Sequence, residues 1–430
     1  MFILSLTAAS PIAAQTKTAA TARPIEGDTL REVVVTARES KGITSGSRID
    51  RSAMEHLQPT SFADLLELLP GNISKDPDMG AANTISLRET GTITATGARS
   101  NDPDYNISSL GTLFVIDGAP VNGDANMQNI PGSSGGTSSP ETARDMTNRG
   151  VDMRTISTDN IESVEIVRGI PSVEYGNLTS GMVNIRRIKR ATPFTARFKA
   201  DEYSKLFSAG KGLSLSADAT LNLDLSWLDA KTDPRNPLEN YKRLTASARL
   251  YRRWSLPAVL ITWSPGADYT GSFDNAKTDP DLSYNKTDEY KSSYNRMALT
   301  SELNVSPREL GWLSSISMTA SASYQSDRLE RRRQVAPQRA SVAPTTMQAG
   351  VHDGRYLLSE YVADYLCEGR PLNLFVKLKA AGALHVGGIK NSYKAGAEWT
   401  LSKNYGRGQV YDLERPLSCL LYTSPSPRDY

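Results

Sequence analysis

IESVEIVRGIPSVEYGNLTSGMVNI, residues Ile161–Ile185, sets two short apolar runs on either side of a glycine-punctuated turn. In Ile161–Arg168 the apolar Ile161, Val164, Ile166 and Val167 stand among Glu162 and Glu165, which predicts a strand. Arg168-Gly169 opens a turn, Tyr175-Gly176 comes next, and Met182–Ile185 predicts a second short strand. Gly169, Gly176 and Gly181 point to backbone conformations that a Cβ disfavours, a structural role.

Toward the N-terminus the elements are short and mixed. Leu113–Ile116 is a continuous apolar strand ending in the turn signal Asp117-Gly118. Val121–Gly150 is a long polar stretch, a length that marks functional or disordered loops. Thr84–Arg88 alternates like a short strand. Ser61-Phe62-Ala63-Asp64 offers an N-cap serine with an acid three positions on. Leu65, Leu66, Leu68 and Leu69 then give a helix an apolar face, and Pro70-Gly71 stops it. Glu32-Val33-Val34-Val35-Thr36-Ala37 precedes the mostly polar run Arg38–Asp50. Three valines in a row put apolar groups on both faces, as in the first strand of the next domain or a segment that pairs within another sheet. Gln15–Thr29 reads as a flexible leader, and Met1–Ala14 as a signal peptide without its basic start, which predicts export.

After Pro193 the pattern changes to a period of two. Ala196, Phe198 and Ala200 oppose Arg197, Lys199 and Asp201; Leu221, Leu223, Leu225 and Trp227 alternate with Asn222, Asp224 and Ser226. The same alternation recurs at Leu244–Leu250, Met297–Val305, Ile316–Tyr324, Leu372–Lys379 and Tyr393–Leu401. The runs are about nine residues long, the length a tilted membrane strand needs. Polar segments such as Lys231–Asn240 and Asp274–Lys291 separate them, and Trp227, Trp254, Trp263 and Tyr324 end strands as a girdle of interfacial aromatics does. A soluble β-sandwich alternates in the same way; long loops after alternate strands favour the barrel.

Composition narrows the function classes. The 430 residues carry 49 basic and 47 acidic side chains, a formal charge of +2, which gives no concentrated basic face for nucleic acid. Two cysteines, Cys367 and Cys419, cannot form a disulfide framework, and His56, His352 and His385 lie far from metal-ligand spacing. Asp76-Pro77-Asp78-Met79-Gly80 opens like a calcium loop but has Leu87 where the twelfth-position acid belongs. No metalloprotease or phosphate-cradling motif is present, so no catalytic residue, metal or cofactor is expected.

Taken together, Glu32–Ala37, Ser61–Gly71 (SFADLLELLPG), Leu113–Val121 (LFVIDGAPV) and Ile161–Ile185 resemble, in order and spacing, the plug domain of TonB-dependent outer-membrane receptors. The resemblance runs from Glu32 to about Ile188. It implies an α+β plug domain followed by an antiparallel transmembrane β-barrel, 22-stranded in the complete family. It makes Ser61–Gly71 the plug's first helix, and Glu32, Val33, Val34, Val35, Thr36 and Ala37 the TonB box. The TonB energy-transducing protein captures that box by adding it as a strand to its own sheet. It assigns Asp117, Gly118, Arg168, Gly169, Tyr175, Gly176 and Gly181 to the plug's structural turns. Asp76–Asn83 and Thr96–Asn106 become the outward loops, with Arg99 and Tyr105 as ligand contacts. The implied partners are TonB, outer-membrane lipid and a small-molecule ligand, with a ferric siderophore or similar metal chelate ahead of cobalamin and oligosaccharide.

The divisions expected are a signal peptide at 1–14, a leader with the TonB box at 15–40, the plug at 41–190, part of the barrel at 191–416, and a non-native tail at 417–430 resembling translated adapter DNA. The residues after the plug suffice for roughly nine to eleven strands, so the chain is expected to be a fragment. An exported β-rich binding or adhesion module is the rival reading.

Overall fold

The computed structural model describes residues 38–39, 46–69, 85, 92–93, 99–100, 111–123, 150–168, 172–176, 178, 181–231, 233–279, 281, 287–308, 310–336, 342–344, 351, 353–386, 389–410, 412 and 414–415. Glu32–Ala37, Tyr105, Gly169, both terminal segments and all of Thr84–Arg88 except Ile85 lie outside them.

In chain order the N-terminal part runs β1 (Arg38–Glu39), β2 (Gly46–Asp50), α1 (Arg51–Leu57), a 3-10 helix (Phe62–Leu68), β3 (Thr92–Ile93), β4 (Arg99–Ser100), β5 (Thr112–Ile116), β6 (Ala119–Val121), a 3-10 turn (Met153–Thr155), β7 (Ile161–Val167) and β8 (Gly181–Arg187). Six of the strands form one mixed sheet in the order β1-β2-β7-β8-β5-β6, in which β5 and β8 are parallel. The apolar runs of β7 and β8 take its centre. Every residue of β8 except Arg186 is buried, which is why these strands read as near-continuous apolar runs. One face packs Ile161, Val164, Ile166, Val183, Ile185 and Phe114 against Phe62 and Leu65. The Phe62 and Phe114 rings meet edge to face at 5.9 Å. The other face carries a smaller cluster of Val115, Val167 and Met182, against which Tyr175 packs.

The cap at Ser61 forms: its Oγ accepts from the Ala63 amide at 3.1 Å and the Asp64 carboxylate accepts from the Ser61 amide at 3.1 Å. The helix it opens is a 3-10 helix rather than the expected α-helix, with bonds from Asp64 N to Ser61 O and from Leu69 N to Leu66 O. Residues three apart eclipse in a 3-10 helix, so Phe62 and Leu65 form one fully buried row. Nor is it the domain's first helix, because α1 precedes it with only Ala53 and Met54 buried.

The second sheet holds eleven strands: β9 (Thr192–Ala200), β10 (Ser204–Ser216), β11 (Ala219–Ala230), β12 (Glu239–Ser255), β13 (Val259–Ala276), β14 (Asp288–Pro307) and β15 (Leu313–Val335), then, after the small hairpin β16 (Val342–Pro344) and β17 (Gly354–Tyr356), β18 (Tyr361–Gly369), β19 (Pro371–Val386), β20 (Ile389–Asn404) and β21 (Gly408–Val410). β18 and β19 lie end to end along β15, and β21 and β20 continue along them, so the sheet is an antiparallel meander of nine tracks. β9 and β20 are its edges, each paired on one side among the described residues. At one end the strands follow one another across the short intervals 217–218, 256–258, 308–312 and 387–388; at the other the intervals are longer, 231–238, 277–287 and 336–360.

The direction of the alternation separates the two rival readings of the sequence. On β11 the buried residues include Asn222 and Ser226, while Leu223, Leu225 and Trp227 are exposed. Arg243 and Arg249 on β12 are buried, and on β14 Met297 and Leu299 are 64% and 61% exposed. Polar side chains face inward and apolar ones outward, the reverse of a soluble sandwich and the arrangement of a wall facing lipid. Phe198, Phe207 and Trp227 pair across β9–β11 near the long-loop end. Trp254 and Trp263 stack at 6.5 Å near the short-turn end. Between these aromatic rows lie Leu221, Leu223, Leu299 and Met318. No described helix is long and apolar enough to cross a membrane. The strands are longer than the nine residues expected, reaching 23 in β15. The expected polar segments shrink accordingly, with Asp274–Ala276 and Asp288–Lys291 paired in β13 and β14.

Candidate functional site

The inward face of the strand wall meets the N-terminal domain through three groups of charged side chains. Toward the long-loop end stands Arg154, 1% exposed, on the turn that comes after Asp152. Its guanidinium donates to Asp152 at 2.9–3.2 Å and to Asp274 of β13 at 3.2 Å. It also lies 4.4 Å over the Tyr241 ring of β12. Arg243, one step along β12, donates to the carbonyls of Arg154 and Ile156 at 2.8 and 3.1 Å. Burial opposes the charge on Arg154, yet Asp152 and Asp274 hold its pKa well above the ordinary arginine value.

The middle group is built on the Asp117-Gly118 turn. Both residues have positive φ, +48° and +83°, the two-residue hairpin geometry that joins β5 to β6 with the twist of its strands. The Asp117 carboxylate accepts from the Arg187 amide at 3.0 Å and from its Nε at 2.6 Å, while Arg187 Nη1 donates to Asp268 of β13. Burial pushes the Asp117 carboxyl up, but Arg187 and Lys189 outweigh it and hold it below the ordinary aspartate value. Beside this pair Lys189 reaches Glu302 of β14 at 2.7 Å.

The third group sits nearer the short-turn end. Segment 172–176 presents Glu174 to Lys379 of β19 and Lys394 of β20, each at 3.0 Å. The Lys377 ammonium lies 4.5 Å from the Tyr175 ring centroid and also donates to the Glu174 carbonyl. Burial raises the Glu174 pKa, and the two lysines bring it below its ordinary value. These contacts are more exposed than those around Arg154 and Arg187. The domain is therefore tied firmly to β12 and β13, where breaking one partner of a buried pair costs about 3–5 kcal/mol, and more loosely to β19 and β20.

The residues expected from sequence fall unevenly on this geometry. Asp117, Gly118 and Tyr175 all lie at the contact, and Asp117 does more than turn the chain. Arg168 donates to Ser47 Oγ at 2.9 Å, inside the N-terminal domain. Gly181 has φ +154°. Gly176 has open space around a built Cβ and no left-handed φ, so nothing there requires glycine. Arg99 pairs with Ile93 in the short β3–β4 ladder. Gly169, Tyr105 and Glu32–Ala37 lie outside the described residues.

Sequence reasoning missed Asp152, Arg154, Arg187, Asp268 and Asp274, whose partners stand 81 and 120 residues apart along the chain. One signal was available: Arg243 and Arg249 occupy the polar side of an alternating strand, where a charge must find a partner inside. Arg249 pairs with Asp224.

Comparison with known proteins agrees with this architecture. Residues 38–183 match the family model of the TonB-dependent receptor plug domain. A ferric enterobactin receptor mutant from Pseudomonas aeruginosa, solved in complex with enterobactin, aligns with 85% of this chain and 50% of its own, at 16% identity and a TM-score of 0.50. The siderophore receptor PirA from Acinetobacter baumannii aligns at 17% identity over 83% of this chain and 47% of its own, with a TM-score of 0.44. An outer membrane transporter of Escherichia coli, YddB, gives 13%, 85%, 50% and 0.48 in the same order. The chain thus spans about half the length of these structures. No curated protein matches it. Residues 38–183 thus match the plug domain of TonB-dependent receptors, and the chain shares its fold, plug and strand wall together, with the aligned ferric enterobactin receptor structure.

Proposed function

We propose that the chain serves, in the outer membrane of a Gram-negative bacterium, as plug and barrel wall of a receptor that takes up a scarce ligand with energy delivered by TonB. The observation that carries this reading is the plug domain held by buried charges against the polar face of a wall whose other face is apolar. A plug so anchored closes the path along the inner wall, and moving it takes work that ligand binding alone does not supply. Glu32–Ala37 is the handle: TonB adds it as a strand, and backbone hydrogen bonds provide a grip that depends little on side chains. The contrast between the buried ties to β13 and the more exposed Glu174 ties favours opening along β19 and β20 while the plug stays docked on β12 and β13.

A ferric siderophore or similar metal chelate is the ligand class in this reading. Support comes from the aligned structure, a receptor in complex with enterobactin. The test is uptake of radioactive iron offered as ferric enterobactin to cells whose own receptors are deleted. Uptake is expected to saturate, to stop on addition of a proton uncoupler, and to stop with Val34→Pro, which removes a backbone donor from the added strand. Uptake that is indifferent to both would refute the reading.

A further inference from the structure

Between the plug and the wall, near the short turns, lies a cavity of about 680 Å³. Thr220, Tyr251, Asn304 and Ser317, within a few residues of the turns, form its wall side; Asn184 and Arg186 of β8 and segment 172–176 form its plug side. Its size falls within the range of small-molecule sites. Seven basic and four acidic side chains line it. Each of the four acids is already matched: Asp117 by Arg187, Glu162 by Arg190, Glu174 by Lys379 and Glu302 by Lys189.

Arg186 stands apart. It is the one exposed residue of β8, it lines the cavity, and it makes no ion pair or hydrogen bond among the described residues. It shares its face of β8 with Asn184 and acts electrostatically on the Tyr175 phenol, whose ring Lys377 approaches at 4.5 Å. Lys394 shares Glu174 with Lys379, so one carboxylate there serves two ammonium groups. Arg48 is matched by Asp50 at 2.8 Å and Lys377 by Glu398 at 3.5 Å, so the cavity's unmatched positive charge is that of Arg186, with the Lys377 ammonium, an aromatic face and a phenolic hydroxyl beside it.

We infer that this cavity is an anion-binding site on the inward side of the plug, built around Arg186, Lys377 and Tyr175, that takes a compact polyanionic aromatic molecule of the size of a metal chelate. Guanidinium and ammonium groups supply charge-assisted hydrogen bonds, and the Tyr175 ring supplies a flat contact. The inference rests on the uptake reading and deepens it: a ligand passing the plug along β19 meets this site before leaving by the short-turn end.

The test uses the full chain in detergent with pyranine, an aromatic trisulfonate, monitored by fluorescence anisotropy. Saturable binding is expected. Arg186→Gln and Lys377→Gln should each weaken it about tenfold, as loss of one charge-assisted contact does. Arg235→Gln, in an exposed turn at the far end, serves as control and should leave binding unchanged. Arg186 is exposed, so its variant perturbs folding little, and Lys377→Gln gives an independent second reading. Binding equal to wild type in both variants, or equal weakening by Arg235→Gln, would overturn the site. Pyranine binding does not need TonB or a proton gradient, so it can fail while iron uptake succeeds, and the reverse.

Discussion

Arg187→Met removes one of the cations that join plug to wall while keeping most of the side-chain volume. Arg187 is 6% exposed, and its two carboxylate partners, Asp117 and Asp268, are 8% and 17% exposed. Without the guanidinium both acids remain in a poorly hydrated space with no counter-charge from β8, so the plug should lose about 3–5 kcal/mol. With a urea dependence of about 2 kcal/mol per molar, the midpoint of plug unfolding should fall by roughly 1.5–2.5 M. Pulse proteolysis across a urea series, read by loss of the protease-resistant plug, measures it. The sign of the pH effect is set by Asp117, whose carboxyl is held below its ordinary value. Its stabilisation is present above the unfolded pKa, near 3.9, and is lost as pH falls through the lower folded value. The gap between wild type and variant should therefore be full at pH 7 and shrink below about pH 4. Asp268→Asn combined with Arg187→Met should cost less than the sum of the single changes by about 1 kcal/mol or more. A midpoint shift under about 0.5 M, or strict additivity, would refute the reasoning.

Phe62→Ala empties a fully buried site against Phe114 and should cost about 3–5 kcal/mol in the same unfolding assay. Ser61→Ala deletes the cap hydrogen bond to Ala63 and should cost about 1 kcal/mol. Gly118→Val places a β-branched residue at φ +83°, and a loss of about 1–2 kcal/mol or more is expected. Leu299→Arg puts a charge in the middle of the outward apolar band and should lower the yield of membrane-inserted protein by about 2–4 kcal/mol of folding free energy. Leu299→Ala should leave insertion nearly intact.

How much could be read in advance depends on what each interaction demands of the chain. The period-two pattern of β11, β14 and β19 was legible because lipid requires apolar groups on every second residue. Where strands leave the apolar band that requirement lapses. On β15 the outward positions become Ser326, Arg328, Glu330 and Arg332, although pairing with β14 and β18 continues to the strand's end. Alternation thus underestimates length, and β10 was hidden because Lys205 and Lys211 interrupt its outward row. Which face turns inward was not legible either, since alternation has no sign; Arg243 and Asn222 buried beside exposed Leu225 decide it. In the plug, β5, β7 and β8 announced themselves through apolar runs, whereas α1, with two buried residues, left no period to read. The same sequence supports α- and 3-10 geometry from Phe62 to Leu68, and packing of one eclipsed row chose the latter. The ties between plug and wall were out of reach, because Arg187 and Asp268 become neighbours only once the wall has formed.

The inside-out wall is the claim on which the rest depends, and spin-label accessibility along Met297–Val305 tests it most directly. Cysteines placed one at a time over this stretch of β14, labelled and reconstituted in lipid, report contact with oxygen, which partitions into lipid, and with a water-soluble nickel chelate. Oxygen contact is expected at the odd positions 297, 299, 303 and 305 and is expected to be absent at the even positions 298, 300, 302 and 304. Uniform contact with the nickel chelate, or no period of two, would contradict it.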